Sequence, residues 1–505
     1  MDPKYLVIIG AVFVVIAGIS LGIYVMVFQR HQLIYPFEDR NMFFGLTILK
    51  DARDYALANE PNVSWISMQP IVLWAAIEKS PNQYDWSEID SQVARIQNIG
   101  LDCTMVLMPM CASEAEKEEI RQKMGSSDFQ GFLRSPQSAT MKLYPHGQDE
   151  VTAWKNFVRT MVERYDGDGK NDFPGLRFPV RNWHFLEEYP MIWIPDAATY
   201  VDLLKETYAA VKGEDPQAKV ILPGLAGNYA RIFAYVTGFI NDSDAGVWNG
   251  VRLARTQLAA NPIVKNEMGD FKSILKDGKG YYDIVDIHLY EEKETFAEGK
   301  VKWMQSALVE YGVSAPIWCI EGGGPFKLRE GQQSNYGDAY YGYYTDRENA
   351  EFVVKLHVIA AVNKVERYHW GLMSETEDSF WNGPWCNMGL VSADRQKKPS
   401  FYTFKILAGE LGDFTDARDL SVGDIRLYEF TVKGRKVYVS WLRVIAGSEA
   451  VNLRDLLPQK PASVRVSFIV TELGVDGGPV LQSSITVQTD AVPLDSTPVF
   501  LELVD

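Results

Sequence analysis

The chain has 505 residues, a formal net charge of −16 and a sequence pI of about 5.0. Hydrophobic residues make up 47% and charged residues 23%, which excludes a disordered chain and suits a large domain with a smaller module beside it. The acidic balance excludes a nucleic-acid partner, because phosphate contacts need clustered Lys and Arg.

The first element in chain order is Tyr5 to Phe28, 24 residues without a charge, between Lys4 and Arg30. A run of that length crosses a bilayer as a helix. A cleaved signal peptide has a shorter apolar core and a small-residue cleavage site. Here the core continues through Ile23–Phe28, so residues 1–30 are expected to be a retained transmembrane anchor, with a cleaved secretion signal as the alternative. The flanking charges do not fix an orientation.

A linker follows, and from residue 41 strand-like and helix-like stretches alternate. Strands are predicted at Phe43–Ile48, Val63–Met68, Asp102–Met108, Trp183–Leu186, Lys219–Gly224, Tyr282–Tyr290, Ile317–Ile320 and Arg367–Trp370. Helical spacing of apolar residues predicts helices at Trp86–Asn98, Trp154–Arg164, Ala197–Val211 and Glu348–Asn363. Eight strands separated by helices imply parallel pairing and a closed (β/α)8 TIM barrel over 31–410, an α/β fold. From about residue 411 the pattern becomes short alternating runs, among them Ile425–Phe430, Lys436–Trp441, Val464–Ile469 and Pro498–Leu503. That alternation predicts a C-terminal antiparallel β-sandwich domain over 411–505.

Two of the predicted barrel strands end in glutamate. One runs Trp183-His184-Phe185-Leu186-Glu187-Glu188, the other Ile317-Trp318-Cys319-Ile320-Glu321 before three glycines. Burying a carboxylate is costly, so a strand that stops on one delivers it to a cavity. Two convergent carboxylates are what glycoside hydrolysis requires, one giving a proton and one acting as nucleophile or base. His288 and Tyr290 share a strand face by period two and can line the same cavity. Trp370, Trp381 and Trp385 offer flat apolar faces to a sugar ring. No cofactor is expected, since the chain has no convincing phosphate loop or dinucleotide fingerprint. No metal site is expected either. Cys103, Cys111, Cys319 and Cys386 lack metal-ligand spacing, and Asp166, Asp168 and Asp172 lack a full calcium-loop signature.

The segment Trp183 to Pro190 is similar to the strand-four motif Trp-x-x-x-Asn-Glu-Pro of clan A glycoside hydrolases. Residues 41 to 505 most resemble the β-xylosidase-like branch of that clan, which carries a C-terminal β-sandwich. The resemblance implies Glu188 as acid/base and Glu321 as nucleophile. It implies substrate contacts from Glu187, His288 and Tyr290, and from Trp370 beneath the bound sugar. Two positions depart from the clan pattern. Glu187 stands where an Asn holds the sugar 2-hydroxyl, and Trp65-Ile66-Ser67-Met68-Gln69 lacks the strand-two Arg. The implied activity is retaining hydrolysis of β-linked oligo- or polysaccharides, by a catalytic domain that is membrane-anchored and extracellular, or secreted if the N-terminal segment is cleaved. The alternatives are a carbohydrate-binding pseudoenzyme with the same barrel and a surface structural protein.

Overall fold

The computed structural model describes residues 33–38, 40–47, 49–109, 144–145, 147–190, 196–225, 228–248, 251–330, 342–376, 384–443 and 447–504. The predicted anchor, Tyr5 to Phe28, lies outside the described residues. Among the described residues no helix is long and apolar enough to cross a membrane.

Eight parallel strands close on themselves: β1 (Phe44–Thr47), β2 (Trp65–Ser67), β3 (Asp102–Met108), β4 (Asn182–Phe185), β5 (Lys219–Leu222), β6 (Ile284–Tyr290), β7 (Ile317–Gly323) and β8 (Val365–Trp370). Each pairs with the next, and β8 returns to β1 through Phe44↔Tyr368 and Leu46↔Trp370. The expected barrel is therefore present. Two strands are broken and resume. After β2, positive φ at Met68 precedes a second piece, Ile71–Leu73, that again pairs with β3. After β4, positive φ at Leu186 precedes Glu188–Tyr189, which pairs with Gly224–Leu225 beyond β5.

The surrounding helices include α1 (Ala52–Ala58), α2 (Ser87–Asn98), α3 (Gln148–Tyr165), α4 (Ala197–Glu214), α5 (Tyr229–Val236), α6 (Pro262–Asp277), α7 (Glu294–Glu310), α8 (Asp346–Val362) and α9 (Pro399–Leu411). Their starts follow from the sequence. Asp196 caps α4 by accepting from Thr199 N, and Thr345 with Glu348 forms a reciprocal capping box on α8. Trp154 of α3 buries its ring against Phe185 of β4 and donates to Thr207 of α4 at 2.8 Å.

Inside the barrel the base is polar and tied. Asp102 at the start of β3 accepts from Tyr35 at 2.5 Å, from Asn182 at 2.8 Å and from Arg367 at 3.2 Å. The Arg367 guanidinium lies 3.9 Å from the Trp318 ring, and Trp65 fills the lumen beside it. Gly45 makes that possible, since a Cβ there would come within 2.5 Å of the Trp65 indole.

The C-terminal module, expected as an antiparallel β-sandwich, is built on one antiparallel sheet. Six antiparallel strands form one sheet in the order β9-β10-β11-β16-β13-β14. They are β9 (Phe414–Asp419), β10 (Ile425–Val432), β11 (Arg435–Leu442), β13 (Ser463–Phe468), β14 (Ile485–Gln488) and β16 (Val499–Val504). The opposing layer is only a ribbon, β12 (Glu449–Val451) with β15 (Val492–Leu494). Alternation still governs the sheet. Tyr428, Phe430, Val437, Val439 and Trp441 join the barrel's core, while Leu427, Tyr438, Val464, Val466 and Leu501 join a smaller core with the ribbon residues Val451, Val492 and Leu494.

The buried pair at the base generates a stability test. Arg367→Leu leaves Asp102 without its cation, so unfolding free energy is expected to fall by about 3–5 kcal/mol. Urea unfolding of the full chain reads it, and a loss below about 1 kcal/mol contradicts a structural role for the pair.

Candidate active site

Four strands deliver acids and imidazoles to the C-terminal half of the lumen. On β4, His184 faces inward and Phe185 packs outward on Tyr200 of α4. The left-handed residue that follows, Leu186 at φ 72°, is costly for a side chain with a Cβ, of order 1–3 kcal/mol. It resets the direction of the chain so that Glu188 enters the pocket rather than continuing the β4 alternation. Its Oε1 accepts from His288 Nδ1 at 2.9 Å.

Strand β6 supplies Asp286, His288 and Tyr290, three inward positions at period two. Asp286 is fully buried. Its Oδ2 accepts from His288 Nε2 at 2.8 Å and lies 3.6 Å from His184 Nε2, and its Oδ1 accepts from Ile320 N–H at 2.8 Å. Gly224 makes space for this pair, because a Cβ there would overlap the His288 ring and approach Asp286 Oδ2 to 2.8 Å. On β7, Glu321 stands beside His288 in register, with Oε1 3.6 Å from His288 Nε2. The Tyr290 phenol lies close enough to the Glu321 carboxyl to feel its charge. One ligand atom from each of Glu188, His288 and Glu321 lies within 4.8 Å of the other two.

The clan's strand-two Arg has no substitute at that place. Ser67 faces the lumen and hydrogen-bonds to Thr47 Oγ1 at 2.8 Å, to Ile320 O at 2.9 Å and to His369 Nδ1. His369 Nε2 in turn accepts from Gly322 N–H at 3.3 Å. Burial, with the nearby His288 and His357, drives His369 well below the usual histidine range, so this layer is neutral. The only ion-pair partner of Glu321 among the described residues is His288.

The electrostatics follow from that. Burial pulls His288 downward, but the charges of Glu321 and Asp286 and the hydrogen bonds it donates to Asp286 and Glu188 outweigh it and carry the ring well above its ordinary value. His288 is therefore an imidazolium at neutral pH. Burial pushes Glu321 well above the carboxylate range, opposed by His288 and reinforced by Glu188, Glu187 and Asp286. Burial and the adjacent Glu188 push Glu187 up to about 7. Burial, then Glu321 and Glu188, keeps the Tyr290 phenol protonated, so its hydroxyl can donate.

The structure thus brings together Glu188, Glu321, His288 and Tyr290, with Glu187 beside them. It does not bring Trp370. That residue ends β8 facing away from the lumen, fully buried, stacked on His357 of α8 and donating to Met388 O at 2.9 Å. The expectation that it lies beneath a sugar is corrected: the inward residue of β8 is its neighbour His369. Trp381 and the Trp385 side chain lie outside the described residues. Sequence reasoning missed Asp286, although it shares the period-two face of His288 and Tyr290. The spacing of Glu188, His288 and Glu321 would admit a small cation, as would that of Glu163, Asp166 and Asp168 at the end of α3. In the second group Asp166 and Asp168 already accept from backbone N–H groups and Lys170, which ties them into a turn.

No protein-family model matches the chain, and no curated protein matches it in sequence. Solved structures do share its architecture. A family 39 glycoside hydrolase from the gut symbiont Bacteroides cellulosilyticus WH2 superposes with a TM-score of 0.56 at 16% identity, over 92% of this chain and 81% of that one. A glucosidase from Croceicoccus marinus gives 0.55 at 12% identity, over 93% of this chain and 98% of that one. The resemblance expected from the sequence is borne out in fold: this is the barrel-and-sheet architecture found in glycoside hydrolases.

The ionisation of His288 is directly checkable. Imidazole ¹⁵N NMR at pH 7.5 is expected to show His288 doubly protonated and His184, His357 and His369 neutral, each of these three lowered mainly by burial. A neutral His288 at that pH contradicts the charge assignment.

Proposed function

We propose that the protein is a retaining glycoside hydrolase acting on β-linked sugars. The observation that carries this is the close approach of Glu188 and Glu321 at the C-terminal ends of β4 and β7, with one oxygen of each within 4.8 Å of the other. Retaining enzymes hold the two carboxyls about 5–5.5 Å apart, inverting ones about 6.5–9.5 Å to admit a water. In this reading Glu188 protonates the leaving oxygen, Glu321 attacks the anomeric carbon, and Glu188 then deprotonates the water that releases the sugar. His288 has two tasks. It is the cation that lets Glu321 ionise, and its Nδ1–H fixes the Glu188 carboxyl. Tyr290 keeps a protonated phenol close to Glu321. We extend the proposal to location: residues 5–28 anchor the chain in a membrane, with the barrel outside the cytoplasm.

Sugar binding without turnover is the second reading. It is favoured by the raised Glu321 carboxyl and the lack, among the described residues, of an arginine paired with it.

Aryl β-glycosides separate the two. Glu188→Gln is expected to slow turnover of poor leaving groups by about 10²–10⁴-fold, and Glu321→Ala to abolish it, with azide restoring an inverted glycosyl azide. Binding of sugars with no turnover on a broad glycoside panel would overturn the hydrolase.

The pH profile tests His288. Because Glu321 must ionise to attack, the acid limb of kcat/KM is expected above the ordinary carboxylate range. His288→Gln removes the cation, so that limb should move further upward. A downward shift, or none, removes His288 from the role.

A further inference from the structure

We propose that the sugar held at this site carries a free amine near the cleaved linkage, so that the substrate is a β-linked glycoside of an unacetylated amino sugar. The inference rests on the hydrolase reading for the word substrate, but its physical basis is a charge imbalance.

Elsewhere several buried acids have a fixed cation, although Asp166 and Asp215 have none among the described residues. Asp54 pairs with Arg395 at 2.9 Å, Glu291 with Lys300 at 2.5 Å, Glu351 with Lys355 at 3.0 Å and Glu375 with Lys398 at 2.7 Å. Asp102 has Arg367. At the mouth of the barrel this practice stops. Glu187, Glu188, Asp286 and Glu321 share a single charged imidazole, since His184, 3.6 Å from Asp286, is held neutral by burial, and among the described residues no Lys or Arg pairs with any of them. His288 is already committed, with Nε2 on Asp286 and Nδ1 on Glu188. Glu187 has no hydrogen-bond or ion-pair partner among the described residues. Glu321 is 8% exposed, and its Oε1 is buried without a hydrogen-bond donor. Carboxylates removed from water without compensation are expensive, and an ammonium group offsets that cost where a hydroxyl supplies only a hydrogen bond. An N-acetyl group removes the charge and adds bulk.

The titration of Glu187 agrees with this geometry. Its proton is held up to about 7 by burial and by Glu188, so in the empty site the acid is partly neutral. An incoming cation ionises it, and the affinity then includes a charge-assisted hydrogen bond. The position also fits, since Glu187 is the immediate neighbour of the proposed acid/base. An amine bound there lies close to the bond that Glu188 protonates.

The test uses the full-length chain, with EDTA present so that divalent cations do not screen the acids. Rates are compared for 4-nitrophenyl 2-amino-2-deoxy-β-D-glucoside, its N-acetyl counterpart and the β-D-glucoside, and for the same three groups in the galacto series. The free amine is expected to be preferred in kcat/KM by roughly tenfold or more in at least one series, and Glu187→Gln should reduce that ratio toward unity. Equal or faster turnover of the hydroxyl or N-acetyl compounds in both series overturns the inference and leaves the hydrolase standing. Calorimetric binding of glucosamine and galactosamine oligomers, each against its acetylated form, to Glu321→Gln supplies a readout independent of turnover. If none of the glycosides is cleaved, the hydrolase reading fails. The charge inference is then supported by a roughly tenfold affinity advantage of the amine oligomer in either series, and overturned by parity in both.

Discussion

One imidazolium ring sets the electrostatics of the upper barrel. His288 is bound on both sides, by Asp286 and by Glu188, and it lies 3.6 Å from Glu321. Without it, the acids of the pocket would have no charged partner among the described residues and would retain protons more strongly. The elements around the ring are shaped to keep it there. Gly224 gives up its side chain to make room, Leu186 bends β4 so that Glu188 reaches it, and Asp286 is clamped by the Ile320 amide.

The lumen is layered by charge. At its base Asp102, Arg367, Tyr35 and Asn182 form a fully compensated network, with two tryptophans between it and the rest. In the middle, Thr47, Ser67 and His369 exchange neutral hydrogen bonds. At the open end, among the described residues, the acids outnumber the charged partners. The lower layers serve stability, and the upper one holds acids whose protonation is perturbed by burial and by one another.

Much of this was legible in the sequence. Glu188 and Glu321 stood out because each closes an apolar run, where a charge has no structural reason to be. His288 and Tyr290 followed from strand periodicity. Asp286 obeys the same periodicity, but one acid in an otherwise apolar run looks like an interruption until its partners are known. Trp370 was misplaced because a strand end gives no signal of which face its last residue takes, and here alternation sends His369 inward instead. Helix α7 went unread because it is buried along more than one side, which blurs the apolar stripe. The ribbon strands β12 and β15 are three residues each, too short for alternation to register. The missing arginine of β2 was visible in the sequence, whereas its compensation by an imidazole from β6 depends on proximity that only the folded chain creates.

The way the chain enters the barrel has a geometric consequence. Leu33 N–H bonds to Gly167 O at 2.8 Å, and Tyr35 is fastened to Asp102 at the start of β3. Both contacts lie at the end of the barrel opposite Glu188 and Glu321. The described chain therefore enters at the sealed floor of the cylinder, and the acid-lined opening lies at the far end from residue 33.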